Sequence, residues 1–277
     1  GKPRLSLGGA ANCAATLAAL GTNVTIVGAT GNDPYGDWIA REVDKFAIGM
    51  IVIPATMTIT KTRVIADSIC LRHDCERGFE LSLNQNEIIN LIDETLLAQQ
   101  PNIIVASDYA KGLITRNVIE KLATWGRWNK STNKPYNLIP LLVDPKVDDW
   151  SLYNGATLIK ANQHERFAYM KKLDRLEQQD NRHSNYTAIT HGSLGIDIEV
   201  EPNRWARING IKVPVVDTVG AGDAAMAGFA AAWACGLSPY ESTMFANLCA
   251  ATSVMMPGTN AIDMGDIEET MIVCDAT

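Results

Sequence analysis

Val215-Val216-Asp217-Thr218-Val219-Gly220-Ala221-Gly222-Asp223-Ala224-Ala225-Met226-Ala227-Gly228 reads as a short apolar strand that turns through glycines into a helix. Backbone N–H groups left open at such a helix start, helped by the positive end of the helix dipole, make an anion site. The stretch also fits the loose dinucleotide pattern G-x-G-x-x-A at Gly220 to Ala225, with Glu241 downstream. That fit is weak, because Asp223 would set a carboxylate against a pyrophosphate and the turn lies late in the chain rather than in a first βαβ unit. Phosphoryl transfer suits the same carboxylate better. An Asp in the first turn can take a proton from an attacking hydroxyl while neighbouring amides face the transferred phosphate.

Working outward, the chain alternates strands and helices. A helix is expected over 10–20, closed by Gly21, then a strand over 23–29. Residues 57–80 alternate polar and apolar side chains and read as strands of a small β lid over about 47–83. Helices follow over 87–99, 115–128 and 163–178, with strands over 102–107, 138–143, 156–160 and 187–190. This order predicts an α/β fold, a mainly parallel central sheet between helices, in one domain over 1–277. Ligands of such sheets bind at the carboxyl ends of the strands. There stand Asp108-Tyr109-Ala110-Lys111-Gly112, Asp144-Pro145-Lys146, Lys160-Ala161-Asn162, Thr190-His191-Gly192 and Asp217-Thr218-Val219-Gly220.

The rest of the composition excludes several classes. The 277 residues carry 24 Lys and Arg against 31 Asp and Glu, a net charge of -7, so nucleic acid is not an expected partner. No run of apolar residues is long enough for a membrane span, since the small-residue segment 221–237 is broken by Asp223 and by glycines. The start, Gly-Lys-Pro-Arg-Leu-Ser-Leu, lacks the apolar core of a signal peptide and reads as a cut end. Six cysteines without a C-x-x-C pair favour a reducing cytoplasm. Cys70, His73 and Cys75 do not make a metal site on this reading, because strand alternation sends the two cysteines to opposite faces. P-loop, protein-kinase and nucleophile-elbow motifs are missing.

Three motifs then occur in order: Gly8-Gly9-Ala10-Ala11-Asn12, Asn162-Gln163-His164-Glu165, and Asp217 through Asp223. On these the chain resembles the ribokinase-like, or PfkB, family of carbohydrate kinases. Within it the chain is most similar to the D-glycero-D-manno-heptose 7-phosphate kinases of lipopolysaccharide-core precursor synthesis. The narrower likeness rests on Thr58-Ile59-Thr60-Lys61-Thr62-Arg63-Val64, Leu71-Arg72-His73-Asp74-Cys75-Glu76, Ser107 through Gly112, and Val143-Asp144-Pro145-Lys146. The resemblance implies a ribokinase-like three-layer sandwich with ATP and Mg²⁺, and leaves a monovalent cation near Asp217 open. It implies Asp223 as base and Gly220, Ala221 and Gly222 as the anion hole. Asn162 and Glu165 would hold Mg²⁺ through water; Thr190, Gly192, Gly195, Asn247, Gly258 and Thr259 would line the nucleotide site. Gly8, Gly9, Asn12 and Asp108 would hold sugar hydroxyls, and Lys61, Arg63, Arg72 and Lys111 the sugar's own phosphate.

Each assignment has a structural rival. Arg63 and Arg72 could pair across strands with Asp74 or Glu76, Asn162 could cap the helix that follows it, and Lys146 could be a solvated turn residue. Members of the family begin with a further strand before the glycine pair, which is missing here, and the join over 49–56 is expected to hide another gap. Ala161 stands where Pro is usual before the Asn, and His191 where a basic or small residue often sits. The bifunctional relatives carry an H-x-G-H motif in a second domain, which none of the four histidines forms, so that second activity is not expected of this chain. A homodimer through the lid is expected from its unpaired edges. The alternatives are a kinase of another sugar, sugar phosphate or nucleoside, for which the four cations would not converge, or a family member that binds without turnover.

Overall fold

The computed structural model describes residues 4–65, 69–125, 139–176 and 183–275. In chain order its elements are α1 (Ala10–Ala19), β1 (Thr25–Gly31), α2 (Pro34–Asp44), β2 (Gly49–Ala55), β3 (Thr60–Ile65), β4 (Ile69–Cys75), α3 (Gln85–Gln99), β5 (Ile104–Ser107) and α4 (Arg116–Thr124). They continue with β6 (Leu141–Asp144), β7 (Ala156–Asn162), α5 (Gln163–Arg175), β8 (Ser184–Thr190), β9 (Gly195–Glu201), β10 (Arg204–Asn209), α6 (Ala221–Ala234), α7 (Pro239–Ser253) and α8 (Met264–Asp275). The side chain of Cys70 and the expected outer ends of elements at 126–128, 138 and 177–178 lie outside the described residues.

The main sheet has six strands in the order β10-β9-β8-β7-β6-β5; β5 to β8 run parallel and β9 and β10 return antiparallel at one edge. The inner strands β6 and β7 are buried on both faces, as their near-continuous apolar character requires, while the edge strand β10 is largely exposed. Leu141, Val143, Ile159, Ala161 and Ile189 pack against Ile88 and Ile92 of α3, Val118 and Ile119 of α4, and Tyr169 and Leu173 of α5. The alternate residues Leu142, Leu158 and Ala188 meet Cys13 and Leu17 of α1, Met226, Phe229 and Ala230 of α6, and Ala246 of α7. The helices α1 and α6 are built mostly of Ala and Gly, so backbones come close. A Cβ on Gly228 would lie 2.8 Å from Cα of Ala246. Among the described residues no helix is long and apolar enough to cross a membrane.

The expected lid is narrower than 47–83. The join at 49–56 is the strand β2, which pairs in parallel with β1 through all 7 of its residues and forms a sheet separate from the six-stranded one. Only β3 and β4 form the antiparallel hairpin. A second correction concerns 215–216, read as a strand entering the glycine turn. The side chains of Val215 and Val216 are exposed, and the N–H groups of Val216 and Asp217 donate to the carbonyl of Val254 after α7, so this segment is a loop braced on the end of a helix.

Parallel pairing brings the strand ends into one row. Ser107 stands beside Asp144, Asn162 beside Thr190, and the N–H of Asp108 donates to the carbonyl of Asp144.

Candidate active site

Two helices start differently from the others. The first turns of α2, α3, α4, α5 and α7 are capped by the side chains of Asp33, Asn84, Thr115, Asn162 and Ser238. By contrast α1 and α6 start after glycines of positive φ, Gly9 at 56° and Gly220 at 87°, with no side-chain cap. A Cβ on Gly220 would sit 3.0 Å from both Asn12 Nδ2 and Thr259 Cγ2, so space as well as conformation demands glycine. These two helix starts face each other at the carboxyl edge of the sheet. Asn12 of α1 donates through Nδ2 to Oδ2 of Asp223 in α6 at 3.1 Å.

Asp223 is partly buried. Desolvation holds its carboxyl above the ordinary value of 3.8 and the charge of Asp144 adds to this, while hydrogen bonds from Asn12 and Tyr109 and the charge of Lys160 oppose it. The Tyr109 hydroxyl donates to Oδ1 of Asp223 at 3.1 Å. The result is a carboxylate held by two neutral donors beside an uncapped helix start, the arrangement of a general base next to an anion hole.

Beneath it lies a buried ion pair that the sequence reading did not assign. Lys160 of β7 is 4% exposed; its Nζ is 2.9 Å from Asp144 Oδ2 of β6 and donates to the carbonyl of Gly222 in α6 at 3.0 Å. Burial acts to lower the pKa of this lysine, but the charge and hydrogen bond of Asp144 hold it above its usual value. The signal was present in Ile159-Lys160-Ala161, a lysine within a strand buried on both faces. Burial, with Asp223 and Asp144 nearby, also pushes the Cys13 thiol far up, so Cys13 is an inert neighbour.

Asn162 and Glu165 form a capping box: Asn162 Oδ1 accepts from the Glu165 N–H at 2.9 Å, and Glu165 Oε2 from the Asn162 N–H at 2.9 Å. Glu165 Oε1 stands 3.6 Å from Lys146 Nζ, and these residues line one cleft with Asp148 and His164. Further along the edge, His191 lies 2.6 Å from Gln163 and 3.0 Å from Asp197, which Arg207 holds through two bonds. Thr190 and Gly192 sit at this end of β8.

Several expected ligand contacts have structural duties here. Both oxygens of buried Asp108 are engaged, Oδ1 by the Ala110 N–H at 2.7 Å and Oδ2 by the Tyr153 hydroxyl at 2.6 Å, so it holds its own loop rather than presenting a free carboxylate to a sugar. Asn247 donates to the carbonyl of Asn209, and Thr259 to that of Leu7. A Cβ on Gly195 would be 2.0 Å from the Ile208 carbonyl oxygen. Asp217 accepts from the N–H groups of Val219 and Gly258, which ties the glycine turn to the segment after α7.

The hairpin carries three of the four expected cations, Lys61, Arg63 and Arg72, while the fourth, Lys111, lies in the loop after β5. Register puts Lys61 opposite Asp74 and Arg63 opposite Arg72, so alternation places these three cations and Asp74 on one face. Arg72 makes a two-bond pair with Asp74, and Lys111 reaches Glu76 at 2.9 Å. Lys61 Nζ sits 6.0 Å from the centre of the Tyr109 ring, whose hydroxyl donates to Asp223.

Comparison with known proteins agrees with this architecture. Residues 1–264 match the pfkB family carbohydrate kinases. The bifunctional protein HldE of Geotalea uraniireducens is 30% identical over 95% of this chain and 54% of its own length, and that of Magnetococcus marinus 31% identical over 98% and 57%. The chain thus spans about half the length of these curated relatives. Among solved structures, ribokinase from Thermotoga maritima superposes with a TM-score of 0.69 at 20% identity, over 95% of this chain and 86% of that one. Phosphofructokinase-2 from Escherichia coli, in complex with potassium, gives 0.72 at 18% over 99% and 92%. With a ribokinase-like fold and a family match along nearly its whole length, the chain belongs to the pfkB family of carbohydrate kinases, enzymes that phosphorylate a sugar hydroxyl.

Proposed function

We propose that the chain transfers the γ-phosphoryl group of ATP to the anomeric C1 hydroxyl of D-glycero-D-manno-heptose 7-phosphate. The product would be the 1,7-bisphosphate, a precursor of the ADP-heptose used for lipopolysaccharide core. The observation that supports this reading is the cationic face of the β3–β4 hairpin, whose Lys61 stands over the ring of Tyr109, the residue that donates to Asp223. Arg72 and Lys111 are each paired with an acid, which leaves Lys61 and Arg63 as the positive excess for a dianion at the far end of the acceptor. A neutral sugar would give that excess no partner.

In this mechanism Asp223 accepts the proton of the acceptor hydroxyl. That oxygen forms the new bond to phosphorus while the bond from phosphorus to the bridging oxygen of the departing ADP breaks. Charge on the transferred group faces the uncapped start of α6 at Gly220, Ala221 and Gly222. Gly8, Gly9 and Asn12 border the acceptor, and Asp108 acts only through its loop. Thr190 and Gly192 border the nucleotide, with Gly195, Asn247, Gly258 and Thr259 shaping the backbone around it. The oxygen donors of Asn162 and Glu165, beside Lys146, fit a hard cation that keeps several waters. Bound there, Mg²⁺ would screen the phosphate charge.

The full chain with Mg²⁺ and ATP is expected to phosphorylate heptose 7-phosphate in preference to fructose 6-phosphate, ribose and adenosine. Replacing both Lys61 and Arg63 by Met should raise the sugar-phosphate KM about tenfold or more and leave the KM for ATP near its original value. An unchanged sugar KM would remove the phosphate-binding role of the hairpin, and turnover on another panel member alone would replace the substrate.

Asp223→Asn should lower kcat by about a hundredfold or more. The same variant should be more stable than wild type at pH 7. Because the folded-state pKa of Asp223 is raised, its favourable contribution is present below about 3.8 and is lost as pH rises through the folded value. Urea unfolding at pH 4 and pH 7 checks this; a variant less stable at pH 7 would contradict it.

The hairpin's other face sets exposed Val64 opposite exposed Leu71, which supports a homodimer through the lid. Light scattering should give twice the chain mass of 30.1 kDa; a monomer at micromolar concentration would remove the dimer.

A further inference from the structure

We propose that Tyr109 is a positioning residue for the reaction, its phenol fixing one oxygen of the Asp223 carboxylate from the loop after β5. This rests on the reading of Asp223 as base, and it adds a residue to which neither the motif nor the charge pattern gave a role.

The loop and its neighbours hold the phenol in place. Ala110 adopts φ 53°, a left-handed conformation unfavourable for alanine, and Asp108 stabilises it by accepting the Ala110 N–H. Tyr153, buried, locks Asp108 from the other side. The Tyr109 ring then lies against Gly9, where a Cβ would come within 2.8 Å of Cε2 and Cζ, so only glycine at the start of α1 admits it. Lys61 of the hairpin stands over the ring.

The need for such a donor follows from the surroundings of Asp223. Asp144 of β6 repels it, Lys160 of β7 is engaged with Asp144 and the Gly222 carbonyl, and Cys13 of α1 is a neutral thiol. What remains for the carboxylate is Asn12 on Oδ2 and Tyr109 on Oδ1. Both are neutral, so they stabilise and orient the anion without pairing it with a charge. Burial and the nearby acids keep the phenol itself protonated, so it acts as a donor at every working pH.

The test is a carboxyl ¹³C NMR titration of the aspartate-labelled full chain without substrate, with the Asp223 signal assigned by its loss in Asp223→Asn. Tyr109→Phe keeps the ring against Gly9 and should raise the Asp223 midpoint by about one pH unit, what one hydrogen bond to a charged group is worth. The acid limb of kcat/KM should move with it. As a check free of that variant, the Tyr109 Cζ signal of the wild-type protein should step at the Asp223 midpoint and lose the step in Asp223→Asn. An unmoved Asp223 midpoint in Tyr109→Phe, or a Tyr109 signal blind to Asp223, overturns the proposal. Failure of the wild type to phosphorylate any acceptor would overturn the base reading instead, while the titration still decides what Tyr109 does.

Discussion

Lys160 binds the central sheet to the helix that carries Asp223. Its ammonium, withdrawn from water, joins Asp144 on the neighbouring strand to the Gly222 carbonyl in the first turn of α6. A charge in that position is stable only because its partners are fixed by register, since β6 and β7 pair through Leu142 and Leu158 just below. Removing one member of such a buried pair typically costs about 3–5 kcal/mol, because the other is left uncompensated. The glycine turn before Asp223 is therefore set from three sides: by Lys160 from the sheet, by Asp217 through Val219 and Gly258, and by Asn12 from α1.

Everything at the site inherits that placement. With the positive charge of Lys160 engaged below, Asp223 faces two neutral donors, and the uncapped start of α6 adds its positive end to the field of Lys160. On the proposed reading the hairpin supplies cations at a distance from Asp223 instead of beside it, so the carboxylate would keep its basicity while the far end of an acceptor would meet Lys61 and Arg63. Separating the two charges along the length of one sugar lets a base and an anion-binding face coexist.

The sequence made part of this legible. The strands and helices over 87–190 follow from periodicity, because each buried strand is a short apolar run and each helix has a recognisable start, as in the Asn84 and Asn162 caps, whereas β9, β10, α7 and α8 were not placed from the sequence. The strand β2 escaped because Gly49 and Pro54 resemble a loop, and 215–216 misled because two valines in a row look like a strand when their hydrogen bonds in fact go to a helix end. Asp223 stood out because three small residues before it have no bland explanation. Its partners did not: Asn12 and Tyr109 lie far away in sequence, and only the fold brings them to the same carboxylate. Asp108 looked like a ligand because its residue type and position at a strand end suit that role, and only burial and Tyr153 show that both its oxygens are engaged. The hairpin cations were legible as a set, since strand alternation alone places Lys61 and Arg63 on one face, but their division between paired and unpaired members depends on where Asp74 and Glu76 reach.

The central claim is that the start of α6 holds the transferred phosphate while Asp223 holds the acceptor hydroxyl. A crystal structure of the full chain with a non-hydrolysable ATP analogue, Mg²⁺ and heptose 7-phosphate measures both distances at once. The account predicts the C1 oxygen within hydrogen-bond reach of Asp223, about 2.6–3.2 Å, with the terminal phosphate against the first amides of α6. A terminal phosphate lodged away from α6, or an acceptor hydroxyl held by another residue with Asp223 still bonded only to Asn12 and Tyr109, would contradict it.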